Sequence, residues 1–115
     1  MAENDYFVIV GKILTYLYLR LKGETDKGIE YLSPNTEDFP INKEYFSYVI
    51  EHMYSGGLIE NLNTVKTPFG KLLDLSINEG TQITPEGIAF LQDNSNIRKV
   101  LQMIPMAAAI ADLFV

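Results

Sequence analysis

The sequence predicts a mainly α-helical α+β fold, and three segments of the chain carry this prediction. Residues 46–53 place apolar side chains three and four positions apart, which is the spacing of an amphipathic helix. Gly57 follows, where a left-handed residue can end that helix, and the apolar Leu58 comes next. After a turn-rich stretch, a second helix start is predicted at Thr84. This order is typical of a winged helix-turn-helix with a small antiparallel β-hairpin wing, here followed by a C-terminal helical extension.

Length and charge limit the class of protein. The chain has 115 residues, which is the size of one domain with its own hydrophobic core. It contains no cysteine, so disulfide bridges and cysteine metal ligands are excluded. Its formal net charge is −6 at pH 7. Because DNA affinity depends largely on Lys and Arg that neutralise phosphates, this charge disfavours DNA as a partner without excluding a local basic face.

The first helix is predicted over residues 6–21, where apolar side chains fill more than one stripe. A helix with this pattern is expected to be buried on two sides. Lys22 and Gly23 are typical of its C-terminal end. The same apolar run carries Lys12 and Arg20 and is not followed by a small-residue cleavage site, so we expect no signal peptide and a cytoplasmic protein.

The next segment is less regular. Residues 28–32 are compatible with a short strand or with a loose turn. Ser33 followed by Pro34 is typical of a capped helix start, so one short helix is expected near residues 34–39. Pro40 would then block its continuation, because a residue before proline avoids the helical region.

A second long helix and a hairpin are expected after this segment. Asn42 is predicted to cap a helix over residues 43–55. Strands are expected at residues 58–62 and 72–77, with the hairpin turn over residues 63–71. The buried face of the helix is predicted to consist of four apolar side chains, Phe46, Val49, Ile50 and Met53.

The C-terminal part is predicted to begin with a further helix. Thr84 is expected to cap it, and Gly87 would permit close packing of its backbone against a neighbour. A later helical stripe is ended or kinked by Pro105. We therefore predict a winged-helix domain over residues 1–104 and an apolar tail over residues 105–115.

Two blocks of this chain have the spacing of a known family. The residues concerned are Phe46, Ile50, Met53, Gly57, Leu58 and Ile59 in the first block and Ile83, Thr84, Gly87 and Leu91 in the second. On these residues the chain resembles the YjcQ-like family, small winged-helix proteins of bacteria and their phages, over about residues 5–104. The resemblance implies a winged-helix fold and a regulatory role, and it implies no known ligand.

The first functional hypothesis is a homodimeric DNA-binding transcriptional regulator. In a winged helix, the helix over residues 43–55 would occupy the recognition position in the major groove. Glu44 and Glu51 on this helix would repel phosphates. The alternative to a DNA-binding surface is a helix face that is merely solvated, with lysines that only prevent pairing at a strand edge. The candidate DNA-binding residues are the outward side chains of the helix and the lysines flanking the hairpin tip, namely Lys43, Ser47, Tyr48, His52, Lys66 and Lys71.

The second hypothesis is a protein-interaction module that keeps the winged-helix shape and does not bind DNA. Tyr45, Tyr48 and Tyr54 would then be contact residues, because tyrosine is enriched at protein interfaces. An enzyme is not expected. The chain has a single histidine, His52, and lacks a glycine-rich phosphate loop, a paired-histidine zinc motif and a Gly-x-Ser-x-Gly motif. We accordingly expect no catalytic residue, no metal, no cofactor and no small-molecule ligand.

The apolar tail is the most unusual segment outside the predicted fold. Asp112 is the only charged residue within residues 105–115. The tail is too short to span a bilayer, which needs about 20 residues, and left in water it would be an exposed apolar patch. It is expected either to fold back on its own core or, in the preferred interpretation, to pack on a second copy in a two-fold dimer. The candidate dimer interface consists of Val100, Leu101, Ile104, Met106, Ile110, Leu113 and Phe114.

Overall fold

The protein has an α+β, mainly α-helical architecture, in a computed structural model that describes residues 6–66, 68 and 72–93. This confirms the predicted fold class, while the winged-helix topology stays a prediction. The C-terminal extension and the boundary at residue 104 lie outside the described residues. The described elements are helices α1 (Tyr6–Leu21), α2 (Lys43–Ser55) and α3 (Pro85–Asp93) and strands β1 (Ile59–Glu60), β2 (Asn63–Lys66), β3 (Leu72–Ser76) and β4 (Gln82–Ile83).

Helix α1 is the centre of the core. Ten of its 16 residues are buried, and it contacts α2, α3 and β4. Burial on more than one side is what its apolar pattern predicts. The helix gives way to Gly23 in the left-handed region, with φ of 71°, as expected for a glycine after a helix end. Among the described helices, none combines the length and apolarity needed to cross a membrane.

Helix α2 has the predicted bounds and the predicted caps. The Asn42 side-chain oxygen accepts a hydrogen bond from the Tyr45 backbone N–H at 2.8 Å, which satisfies one of the free donors of the first turn. Gly57 has φ of 76°, so it supplies the left-handed turn after the helix. The four apolar side chains predicted to face the core are all buried: Phe46, Val49, Ile50 and Met53.

The strands differ from the predicted hairpin. The predicted strand over residues 58–62 is interrupted at Asn61, which has φ of 64° and therefore cannot continue an extended strand. Its carbonyl oxygen accepts hydrogen bonds from the Asn78 side-chain amide and the Thr81 hydroxyl, both at 3.0 Å. The hairpin consequently starts later, and residues 63–66, expected as a turn, form β2.

Two antiparallel strand pairs follow from this interruption. Strand β1 pairs with β4, which the sequence did not indicate, in a register that places Ile59 opposite Ile83. Strand β2 pairs with β3, with Asn63 opposite Ser76 and an irregularity between Val65 and Lys66. Strand β3 contacts α2, so the hairpin is attached to this helix as well as to the chain that follows it.

The start of α3 confirms both roles predicted for this segment. The Thr84 hydroxyl accepts a hydrogen bond from the Gly87 N–H at 3.0 Å and donates one to the Gly57 carbonyl oxygen. It therefore caps α3 and ties it to the end of α2. At Gly87, a Cβ atom would collide with the Leu58 carbonyl oxygen, so only glycine permits this close backbone approach.

The short helix expected near residues 34–39 is not formed, and that prediction is wrong. The segment is a series of bends, preceded by one 3₁₀ turn at Ile29–Tyr31. Asn35 is left-handed, with φ of 58°, and the Thr36 hydroxyl accepts a hydrogen bond from the Phe39 N–H at 3.1 Å. Such side-chain to backbone bonds compete with helical ones, which explains the irregular conformation.

Candidate interaction surface on helix α2

Aromatic rings line the outer side of α2. Tyr48 is 51% exposed. The Tyr45 ring lies near-parallel to it at 27°, with the ring centroids 6.4 Å apart. The His52 ring lies on Tyr48 with a centroid separation of 4.1 Å and an interplanar angle of 32°. Because residues three and four positions apart are neighbours on a helix, the three rings follow one line along α2.

A fourth ring comes from the start of α1. The Tyr6 ring meets Tyr48 edge to face, at 6.4 Å between centroids and 76° between planes. Phe7, which is 47% exposed, makes a similar edge contact with Tyr6 at 5.5 Å. We call the group formed by Tyr6, Tyr45, Tyr48 and His52 the aromatic face. It joins two helices that are distant in the sequence.

The orientation of His52 is fixed by a hydrogen bond. Its Nδ1 atom lies 2.8 Å from the carbonyl oxygen of Tyr48. Since a carbonyl oxygen can only accept a hydrogen bond, Nδ1 is the ring nitrogen that carries the proton and donates this bond. This bond holds the imidazole against Tyr48, so the outer end of the aromatic face has a defined geometry.

A shallow cavity of about 680 Å³ lies beside the rings and opens to solvent. Three tyrosines line it, and Glu44 adds a carboxylate at the first turn of α2. Burial raises the pKa of the Tyr6 hydroxyl, and the neighbouring Tyr48 and Tyr45 raise it further. The full lining of the cavity is Tyr6, Asn42, Glu44, Tyr45 and Tyr48.

The charge on α2 is weakly acidic. The helix carries one lysine, Lys43, against two glutamates, Glu44 and Glu51, and all three are exposed. The lysine and the two glutamates together leave one net negative charge on the outer surface of the helix. A phosphate backbone would therefore meet more repulsion than attraction along α2.

The structure brings together four of the six predicted DNA-binding residues. Lys43, Tyr48 and His52 are exposed on α2, and Ser47 on the same helix is half-buried. Lys66 ends β2, where its backbone pairs with Leu72. Lys71 lies outside the described residues, as do all predicted dimer-interface residues: Val100, Leu101, Ile104, Met106, Ile110, Leu113 and Phe114.

Four further cations lie in the N-terminal part of the chain, and each has a local partner. Arg20 forms an ion pair with Glu79 at 2.9 Å. The Lys12 ammonium donates to the Asp38 carbonyl oxygen at 2.7 Å. Each of these cations thus has at least one partner within the described residues. The lysine ammonium groups of this part also lie over aromatic rings, at 5.8 Å for Lys12 and Phe39, 5.9 Å for Lys22 and Tyr18, and 5.1 Å for Lys27 and Tyr31.

Of the three tyrosines predicted as contact residues, only Tyr45 and Tyr48 join the aromatic face. Tyr54 is 39% exposed and lies six positions beyond Tyr48, which places it on another side of the helix. Tyr6 was missed, because its place beside Tyr48 follows from the crossing of α1 and α2 and has no local signal. Within the described residues, no three His, Cys, Asp or Glu side chains converge to hold a metal ion.

Comparison with protein families assigns this chain to a family. The family model described as YjcQ protein matches residues 12–109. The chain belongs to the YjcQ family. The match covers most of the chain and confirms the resemblance given by the spacing of α2 and α3 residues, although it starts later and ends later than residues 5–104. The α2 part of the aromatic face lies inside the matched region, whereas Tyr6 precedes it. No curated protein and no solved structure matches this YjcQ-family chain.

Proposed function

We propose that this YjcQ-family member is a cytoplasmic, non-catalytic interaction module that binds a protein partner through the aromatic face of α2. The observation that carries the proposal is the exposure of Tyr48 at the centre of the ring contacts. Aromatic side chains offer a large contact area and lose little conformational freedom on binding, which is why Tyr is enriched at interfaces.

The arrangement of α2 supports a role for this face outside the core. The core side of the helix is filled by its four buried apolar residues, and the half-buried Tyr6 and Tyr45 pack against this core from its edge. Tyr48 nevertheless leaves about half of its surface in water. A preformed exposed aromatic surface is typical of binding sites, because the rings already have the geometry in which a partner would meet them.

The test is capture of a partner on the immobilised full-length protein from an extract of the cells that produce it. Tyr48→Ala removes the central ring, and Tyr54→Ala on the same helix is the matched control, since Tyr54 lies off the aromatic face. We expect the wild type and Tyr54→Ala to retain the same partner and Tyr48→Ala to lose it. Equal retention by all three proteins would remove the aromatic face from the proposal.

A homodimeric winged-helix regulator that binds DNA is the second candidate. It is favoured by the order of helix α2 and the β2–β3 hairpin, and by the contact of β3 with α2. In this candidate Lys43, Lys66 and Lys71 would contact phosphates. Fluorescence anisotropy with a random DNA duplex at increasing salt would test it. Each lysine replaced by alanine should lower the salt slope by about one, whereas unchanged binding would exclude these lysines.

The dimer itself is a separate part of this candidate. We propose that the apolar residues of the C-terminal tail join two copies, in line with the pattern of the sequence. Light scattering on the wild type and on a variant with Leu113→Asp and Phe114→Asp tests this directly, because two buried charges at an interface disfavour association. A dimer that becomes a monomer is expected, and a wild type that is already monomeric would contradict the proposal.

A further inference from the structure

We propose that the cavity beside Tyr6, Tyr45 and Tyr48 receives a cationic side chain, arginine or lysine, of a protein partner. This inference rests on the proposed function and adds the chemical class of the group that the partner inserts. It is carried by three observations, which are the arrangement of the rings, the carboxylate of Glu44 at the same cavity, and the excess of glutamate over lysine on α2.

Three tyrosine rings line the cavity. Tyr45 and Tyr48 lie near-parallel with their centroids 6.4 Å apart, and Tyr6 stands nearly perpendicular to Tyr48 at the same distance. A cation is attracted to an aromatic ring when it lies within about 6 Å of the centroid, because the ring face carries partial negative charge. A single cation among these rings can therefore interact with more than one of them.

One face of Tyr48 is already covered. His52 lies on it at 4.1 Å and is held there by its bond to the Tyr48 carbonyl oxygen. Tyr45 lies on the other side of Tyr48 along the helix, with its ring near-parallel and 6.4 Å away, so a ligand would reach Tyr48 from the cavity that both rings line. His52 thus acts as a support that fixes the Tyr48 ring.

Glu44 supplies the charge that distinguishes a cation from a neutral apolar group. It is exposed and lines the cavity together with the rings. Among the described residues, no Lys or Arg lies within salt-bridge distance of its carboxylate. A carboxylate beside an aromatic surface favours a cation over a neutral group of equal shape, because both attract positive charge.

Charge complementarity extends beyond the cavity. Glu51 adds a second exposed carboxylate on α2, and the whole chain carries a net charge of −6. A basic segment of a partner would be attracted to this surface before it docks. This attraction weakens as the salt concentration rises, because salt screens the charges. The cavity is open to solvent, so a side chain can enter it while the backbone of the partner stays outside.

The test uses a matched pair of small peptides and the full-length protein. The probe is the blocked peptide Gly-Gly-Arg-Gly-Gly, and its control has citrulline, which has the shape of arginine without the charge, at the central position. Both are titrated while the backbone amide signals of α2 are followed by NMR. We expect signals of the first half of α2 to move with the arginine peptide, and affinity for the citrulline peptide to be about fivefold to tenfold weaker. Equal affinities would overturn the inference.

Two pairs of variants locate the site. Tyr48→Ala should weaken the arginine peptide at least about threefold, whereas Tyr54→Ala should leave it unchanged. Glu44→Gln should reduce the preference for arginine over citrulline, whereas Glu51→Gln, on the same helix and away from the cavity, should retain it. An equal loss with Glu44→Gln and Glu51→Gln would mean that the peptide senses only the general charge of the helix, and would overturn the cavity as the site.

The inference and the proposed function fail in different ways. If Tyr48→Ala abolishes partner capture and the two peptides bind equally, the aromatic face binds a partner without a cationic side chain, and the inference is wrong. If partner capture does not depend on Tyr48, the proposed function is wrong, and with it the assignment of a protein as the source of the cation.

Discussion

Two groups of aromatic side chains in this protein both make ring–ring contacts, one group mainly in the core and the other at the surface. In one group three of the four rings are buried and the fourth, Tyr31, is half-buried, and the rings touch in sequence at centroid distances of 4.9, 5.4 and 5.7 Å. The rings of the aromatic face also contact one another, but the central residue of this face, Tyr48, is 51% exposed. We call the first group the aromatic run, and its members are Tyr16, Tyr31, Phe39 and Phe46.

Ring contacts alone therefore do not show whether an aromatic cluster stabilises a fold or binds a partner. In the aromatic run, Phe39 is completely buried and bridges Tyr31 to Phe46, so its removal leaves a cavity. In the aromatic face, water can fill the space left by Tyr48. The two groups should therefore separate cleanly, with stability depending on the first and binding on the second.

The largest effect is expected for Phe39→Ala. It removes a fully buried ring from the centre of the aromatic run, so the free energy of unfolding should fall by about 3–5 kcal/mol. Urea denaturation of the variant and the wild type gives this value directly. A loss below about 1 kcal/mol would mean that the run does not stabilise the fold, and the distinction between the two groups would fail.

The second effect concerns alkaline pH. Burial raises the pKa of Tyr31 from 10.0 to about 12, with smaller contributions from the nearby Asp38 and Tyr16. The folded protein holds this proton more tightly than the unfolded chain, so the resulting stability is complete below pH 10 and is lost as the pH rises toward 12. Tyr31→Phe should remove this loss. Urea denaturation across that pH range measures it, and identical profiles for the two proteins would contradict the burial of Tyr31.

A smaller effect is expected at the base of the aromatic face. Asn42→Ala removes the cap of α2 and should lower the free energy of unfolding by about 1 kcal/mol, because the Tyr45 N–H loses its acceptor. Asn42→Asp keeps an acceptor at this position and is the matched control. Urea denaturation of both variants is the measurement, and an equal loss in both would assign the effect to something other than the cap.

The smallest effect on stability is expected for Tyr48→Phe. This substitution removes one exposed hydroxyl and should change the free energy of unfolding by less than about 0.5 kcal/mol. It should also lower the pKa of Tyr6 toward its ordinary value, because Tyr48 is one of the groups that raise it, although burial has the larger effect. An NMR titration of the Tyr6 ring measures this shift. An unchanged Tyr6 pKa would mean that the Tyr48 hydroxyl does not interact electrostatically with that of Tyr6.

The parts of the fold that were predictable are those determined by local chemistry. The apolar spacing of α2 gave its buried face, Asn42 and Thr84 gave the helix starts, and the absence of a side chain at Gly87 gave the close packing of α3. Each of these features depends on a few neighbouring residues or on a single steric requirement.

The features that were predicted wrongly or missed depend largely on contacts between residues distant in the sequence. Strand β2 starts at residue 63 because Asn61 turns left-handed, and its carbonyl oxygen is held by side chains 17 and 20 positions away. The expected helix near residues 34–39 is absent because local side-chain bonds and the burial of Phe39 fix another conformation. For the candidate site, the sequence indicated Tyr45 and Tyr48, but only the crossing of two helices brings Tyr6 to them.

If the aromatic face touches a protein partner in the cell, site-specific photo-crosslinking from this face should capture that partner. A photoreactive benzoyl-phenylalanine replaces Tyr48 in one full-length variant and Tyr54 in the other. We predict a crosslinked protein from position 48 and a much weaker product, or none, from position 54. Crosslinking at 54 but not at 48, or equal products from both positions, would contradict the account.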